Sequence, residues 1–342
     1  MRVLFIGGTG VISSACAELA IERGAELYLL NRGASLRPVA EGAHVMRADI
    51  RNPDSVRAAI GDLEFDVVVD WIAFDPEHVE TDLDLFRGRT AQYVFISSAS
   101  VYQTPPARLP VIESTPLDNP YWQYARDKIA CEQRLVRAQQ EEGFPVTIVR
   151  PAHTYDRTKL PIRGSYTMVD RMRRGAPVVI HGDGTSVWAL LHHTDFARGF
   201  VGLLGDARAI GEAFHITSEE LLTWNQIFAT VAAAAGAQVH AVHVPSEWIA
   251  GFDPEWGASL LGDKAHSMIF DNSKLRSIVP DFAPAVSFAE GAAESLSWFD
   301  AEASRREVDP RFDRVLDEIV AASAAPRGFT AKNAKPVERG RR

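Results

Sequence analysis

Tyr124 and Lys128 stand four residues apart in a stretch, Tyr124 to Gln140, whose pattern predicts a long helix. That spacing puts a phenol and an ammonium on one helix face. An ordinary tyrosine titrates near 10 and is a poor base at neutral pH. A cation beside it stabilises the phenolate and brings the group toward the working range. Upstream, Ile96-Ser97-Ser98-Ala99-Ser100-Val101-Tyr102 leaves the carboxyl end of an apolar run. Ser98 is thereby offered as a hydroxyl donor to a substrate oxygen next to Tyr124, which is acid/base chemistry on a carbinol or carbonyl.

A second constellation lies at the amino end. Gly7-Gly8-Thr9-Gly10-Val11-Ile12-Ser13 follows the apolar strand Val3 to Ile6 and opens a helix. Gly7 permits the tight turn, and Gly10 lets the backbone approach a pyrophosphate held on the helix N-terminus. Ser13 replaces the usual third glycine and is small enough to keep helix and sheet close. Strand before and helix after make this a dinucleotide loop. The second strand ends in Asn31-Arg32 where an acidic residue would hold the ribose hydroxyls of NAD. Arg32 offers a bidentate partner to a 2′-phosphate with no carboxylate to repel it, which favours NADP over NAD. Asp49 and Ile50, after the third strand, are placed to meet adenine.

These residues need a parallel sheet to position them. Apolar runs at 26–30, 44–46, 66–70, 93–97 and 146–150 alternate with helical patterns at 12–23, 55–60 and 124–140, the rhythm of βαβ units. Val67-Val68-Val69 is apolar on both faces, as buried parallel strands are. After Pro151 the rhythm becomes mixed, with helices at 167–174, 194–204 (capped by Thr194), 223–235 and 287–303, and strands at 178–180, 213–216 and 238–244. The expected architecture is α/β: a Rossmann-type doubly wound parallel sheet over 1–160, rejoined by segments within about 178–216. A smaller mixed α/β substrate lobe over 161–325 packs on it as one unit.

Composition narrows the class. The 342 residues are 46% apolar and 24% charged, which excludes a disordered, collagenous or disulfide-scaffold chain. Net charge is −9, unfavourable for a phosphate backbone as partner. From Pro326 to Arg342 six basic residues face one Glu, a basic tail expected to be disordered. Taking its +5 from −9 leaves −14 for the rest. Cys16 and Cys131 are too few for a framework, and no spacing suggests a metal site, the His192-His193 pair included, because neighbours on a strand point apart. No apolar run approaches the length of a membrane span, and Met1 to Ile6 is too short for a signal peptide. A cytoplasmic location is the default expectation.

The motifs GGTGVIS, Asp49-Ile50, ISSASVY, YARDK, RPAHTYD from Arg150 and HGDGT from His181 occur in one order over roughly residues 1–300. In this the chain resembles the extended short-chain dehydrogenase/reductases of the NAD-dependent epimerase/dehydratase kind. The resemblance implies Ser98, Tyr124 and Lys128 as catalytic residues, with Lys128 also holding the nicotinamide ribose. It implies contacts to the dinucleotide from Gly7, Thr9, Gly10, Val11, Ile12, Asn31, Arg32, Asp49, Ile50, Ile72, Ala73, Ser97, Pro151 and His153. Ser98, Ala99, Ser100, His153 and Trp188 would face a small-molecule substrate. A homodimer through a four-helix bundle is implied as well.

Several positions depart from the family pattern. Ala99 and Ser100 stand where dehydratases carry Asp-Glu, and neither can act as acid or base at neutral pH, so dehydration by that route is disfavoured. His153 replaces an asparagine. Trp188 aligns with the arginine that clamps a nucleotide diphosphate; it cannot neutralise one, though its ring can stack on a sugar. Arg163 or Arg276 is a candidate replacement charge. The expected function is an epimerase acting on a secondary alcohol of a sugar or nucleotide-sugar-like substrate by transient hydride transfer. An NADPH-dependent ketone or sugar reductase is the alternative within the fold, and a noncatalytic RNA-associated member the alternative from another class.

Overall fold

The computed structural model describes residues 1–324, so the basic tail lies outside the described residues. Six strands run in parallel through the first half: β1 (Arg2–Ile6), β2 (Glu26–Asn31), β3 (His44–Arg47), β4 (Phe65–Asp70), β5 (Thr90–Ile96) and β6 (Val146–Pro151). Later come β7 (His153–Tyr155), β8 (Val178–His181), β9 (Val187–His192), β10 (Ala213–Ile216), β11 (Leu221–Thr223) and β12 (Ala241–Val244). The large sheet has seven strands in the order β10-β6-β5-β4-β1-β2-β3, every neighbouring pair parallel. Strand order reverses between β1 and β4, and a ligand crevice opens at such a reversal, beyond the carboxyl ends of the strands.

Helices cover both faces. α1 (Ser13–Glu22) leaves the glycine turn, α2 (Pro53–Ile60) is capped by the Asn52 side chain, and α3 (Pro76–Phe86) by that of Asp75. α4 (Gln123–Glu142) packs on α3 and β6, and α5 (Tyr166–Arg173) packs on β8. One apolar cluster joins Val3, Phe5, Val67 and Val69 to Cys16, Phe196 and Phe200. A second joins Leu4, Ile6 and Val68 to Val79, Leu83, Cys131 and Leu135. Alternate residues of each strand thus feed opposite faces, as a sheet buried on both sides requires.

Buried Arg150 at the end of β6 forks onto Glu132 of α4, with Nε donating to Oε1 at 2.9 Å and Nη2 to Oε2 at 2.6 Å. A bidentate pair of this kind fixes the helix against the strand. It thereby fixes Tyr124 and Lys128, which α4 carries.

The second half departs from expectation in places. Of the stretch 178–216, only β10 enters the large sheet. β8 pairs with β12, and β9 lies between β7 and β11. The helix expected to start at a Thr194 cap starts one residue earlier, at His193–Val201. Thr194 is spent differently, its hydroxyl lying 2.8 Å from His192 Nδ1. His192 ends the strand and His193 begins the helix, so strand alternation stops between them and their rings approach to 4.6 Å. Helices also form over Pro76–Phe86 and Pro310–Ala324, outside the expected set. A third apolar cluster is built around Trp188, Trp224, Phe288 and Phe312.

Candidate active site

The glycine turn behaves as its composition requires. Gly7 and Gly8 sit at φ +103° and +92°, and a Cβ on Gly8 would come within 2.7 Å of Leu29 Cδ2. Only glycine meets both constraints. Gly10 N–H donates to Ser13 Oγ at 2.7 Å, so the residue in place of the third glycine closes the turn with its side chain.

Gly7, Thr9, Asn31, Arg32, Asp49, Ile50 and Ile72 line one cavity of about 280 Å³ at the ends of β1, β2 and β4. Val11 and Ile12 lie beyond it, in the turn that enters α1. Arg51 and Phe74 also line it and carry no motif signal. Arg32 is 71% exposed, with Nη1 3.9 Å from Asp49 Oδ2. The expectation that no carboxylate neighbours Arg32 is therefore corrected, because the turn after β3 returns Asp49 to the end of β2.

A second cavity, of about 260 Å³, gathers Ser98, Ala99, Ser100, Tyr124, Pro151, His153 and Trp188. Lys128 and Ala73 line neither cavity. The buried Lys128 ammonium donates to the carbonyl oxygens of Ala73 and Ile96 at 2.6 and 2.7 Å, with the Phe74 and Phe95 rings below 5 Å from it. Burial brings it down to about 8. Ser97, at the end of β5, keeps a buried hydroxyl without a hydrogen-bond partner, and His153 a buried Nδ1 without one. Buried polar atoms without partners cost stability and mark places where a ligand completes the site. Together with the glycine cradle, these features fit a dinucleotide laid from the first cavity to the second.

Tyr124 was expected to be drawn toward neutrality by Lys128. Burial dominates instead and pushes the phenol up to about 12, a hydrogen bond with Ser98 partly opposing and the Asp263 charge adding to the rise. The phenol is therefore a proton donor throughout the neutral range. Ser98 Oγ also lies 2.9 Å from Ser100 Oγ.

Trp188 is 1% exposed, its indole N–H donating to the His266 carbonyl at 3.0 Å. It is at once a core residue and part of the cavity wall. Neither candidate replacement charge reaches this cavity. Arg163 pairs with Asp253 at 3.1 Å, and Arg276 with Glu219. The charges that do reach it are Asp263 and Lys264, together with the aromatic wall Trp122. A π-helical turn over Leu260–Lys264 brings the charged pair in, and Asn119 pins that turn. Its side-chain amide donates to the carbonyls of Ser100 at 2.8 Å and Gly262 at 2.6 Å, while its Oδ1 accepts from Tyr121 and Trp122. Burial raises the Asp263 carboxyl, with Lys264 opposing. Trp122, His153 and Lys264 also line a third cavity, of about 650 Å³.

Residues 3–217 match the model of the NAD dependent epimerase/dehydratase family. Among curated relatives, the chain is 26% identical over 287 residues to 2′-dehydrokanamycin reductase of Streptomyces kanamyceticus, covering 82% of this chain and 80% of that one. It is 27% identical to the chloroplast stem-loop binding protein of 41 kDa b of Arabidopsis thaliana, over 69% of this chain and 63% of that one. The solved UDP-glucuronic acid 4-epimerase of Bacillus cereus superposes with a TM-score of 0.72 at 18% identity, covering 88% of this chain and 99% of its own. The glycine turn, the strand order and the match over the whole large sheet agree: the chain belongs to the NAD dependent epimerase/dehydratase family.

Proposed function

We propose that the protein is an NAD(P)H-dependent reductase of a ketone on a sugar-like substrate that carries no nucleotide. The carrying observation is the meeting of the Tyr124 phenol and the Ser98 hydroxyl in one cavity whose wall is Trp188 where the diphosphate clamp would be. The dinucleotide, when bound, supplies the hydride. Ser98 donates a hydrogen bond to the carbonyl oxygen, polarising it, and Tyr124 gives that oxygen its proton as charge develops there. Lys128 holds a positive charge behind the phenol ring, 5.9 Å from its centroid, and stabilises the phenolate left after transfer. Ala73 and Ile96 carbonyls orient that ammonium. The likeness to a reductase over four-fifths of both chains supports this direction.

NADP as the preferred nucleotide belongs to the same proposal and rests on Arg32. Asp49 at 3.9 Å competes for that guanidinium and tempers the preference. Epimerisation is the second reading. Its support is the neighbouring cavity of about 650 Å³, which shares Trp122, His153 and Lys264 with the Tyr124 cavity.

One experiment separates the two. The purified protein is denatured, any released nucleotide is identified by mass spectrometry, and the protein is then titrated with NADPH and NADH by fluorescence. A site that is released empty and prefers NADPH is the expected result. Stoichiometric NAD⁺ carried through purification would establish the epimerase instead.

A further inference from the structure

The Tyr124 cavity contains one charged pair, and no catalytic step above uses it. Lys264 Nζ donates to Asp263 Oδ2 at 2.9 Å, and the two side chains are 16% and 11% exposed. The ammonium is held between indole rings, 5.7 Å from the Trp122 centroid and 5.9 Å from that of Trp188. Lys264 has its backbone fixed as well, its carbonyl accepting from Ser186 Oγ at 2.9 Å with His181 Nε2 at 3.0 Å. Gly262 packs closely on Trp122, where an added Cβ would come within 2.7 Å of Trp122 Cβ. The pair is thus held in the wall by its side chains and its backbone.

Asp263 lines the cavity that holds Tyr124, and its Oδ1 takes no hydrogen bond among the described residues. Facing the same space is His153, its Nδ1 without a partner. Burial and the charges of Lys264 and Lys159 keep that imidazole neutral. The half-buried Asp263 carboxylate thus has an oxygen free to accept from a ligand bound in that small cavity.

Charge selects the ligand. An ammonium brought to Asp263 meets Lys264, and a phosphate brought to Lys264 meets Asp263, so either ion is buried against a like charge. A neutral hydroxyl satisfies Oδ1 without that penalty. We propose that Asp263, with His153 beside it, is the specificity-determining acceptor for a substrate hydroxyl close to the reacting carbon, so that the substrate class is an uncharged polyhydroxylated carbonyl compound. The inference rests on reading the Tyr124 cavity as the site of reduction.

The test compares two probes that differ by one hydroxyl, cyclohexanone and 2-hydroxycyclohexanone, each followed by NADPH oxidation. The wild-type protein should favour the hydroxyketone in kcat/KM by about tenfold or more, the worth of one hydrogen bond to a charged group. Asp263→Ala should bring the ratio to within about threefold. Should that variant fail to fold, D263L/K264M removes both charges together and is read in the same way. A ratio unchanged in the folded variant, or no preference in the wild type, overturns the inference while leaving the reductase reading in place. Turnover of neither ketone by wild-type protein that still binds NADPH overturns the reductase reading, and the inference with it.

Discussion

Arg32 Nη1 stands 3.9 Å from Asp49 Oδ2 at the mouth of the nucleotide cavity, a cation and a carboxylate brought together from the ends of two adjacent strands. At 71% and 42% exposure the pair is solvated and contributes little to stability. Its consequence is for selectivity, because Asp49 competes with a 2′-phosphate for the same guanidinium.

Arg32→Ala should therefore raise the Kd for NADPH by about tenfold and leave that for NADH within about twofold, the loss expected for one exposed charge-assisted contact. Asp49→Asn should move in the opposite sense and tighten NADPH. Fluorescence titration of both nucleotides with both variants is the measurement. Equal losses for NADPH and NADH in Arg32→Ala would mean that Arg32 does not read the phosphate.

The pH dependence of reduction follows from two groups that must both be protonated. Lys128, at about 8, loses its proton first as pH rises, whereas Tyr124, at about 12, keeps its own well beyond. The kcat/KM profile for ketone reduction should be level through neutrality and fall with one proton above about 8. Lys128→Met should lower the rate by about a hundredfold and abolish that break. A break that persists in the variant would assign it to another group. Tyr124→Phe should cost about a hundredfold to ten-thousandfold with the fold intact by circular dichroism.

Trp188 separates structural from functional roles. The ring is almost fully buried and its N–H is bonded, so Trp188→Ala should lower unfolding free energy by about 3–5 kcal/mol. Trp188→Arg, which restores the residue type of the diphosphate clamp, should not create affinity for UDP. It places a cation within the reach of Lys264 and breaks the core instead. Isothermal titration with UDP, paired with a denaturant melt, tests both statements.

The first half of the chain was legible because its signals are local. The glycine turn, the apolar run Val67 to Val69 and the Tyr124/Lys128 spacing each specify their own conformation, and parallel order then carries them to one edge. The helix Pro76–Phe86 was not legible because Asp82 breaks its apolar stripe of Val79, Leu83 and Phe86; Asp82 is nonetheless buried, where it accepts from the Tyr93 hydroxyl at 2.6 Å. Asp263 and Lys264 could not be found from spacing. Their approach depends on Asn119, 143 residues before Gly262, pinning a turn that has no motif. The rise of the Tyr124 phenol was hidden for a similar reason, since burial is set by residues distant in sequence.

The loop after β2 offers the last test, one of stability. Its Arg37 reaches across to Asp156, just beyond β7, and bonds both that carboxylate and Thr158 Oγ1. Asp156 is 2% exposed. Burial pushes its carboxyl up, but bonds from Arg37 and Thr158 more than reverse this and leave it below the usual carboxylate range. A carboxyl lowered on folding contributes stability that is present above its unfolded value and lost as pH falls through the folded one. Arg37→Ala should accordingly destabilise the protein by about 1–2 kcal/mol at neutral pH, the partial exposure of Arg37 keeping the figure low. The gap between variant and wild type should close as pH drops below about 4, where the carboxyl takes up its proton. Urea melts of both proteins at neutral and acidic pH supply the comparison, and a gap that stays constant with pH would show that Arg37 acts through packing alone.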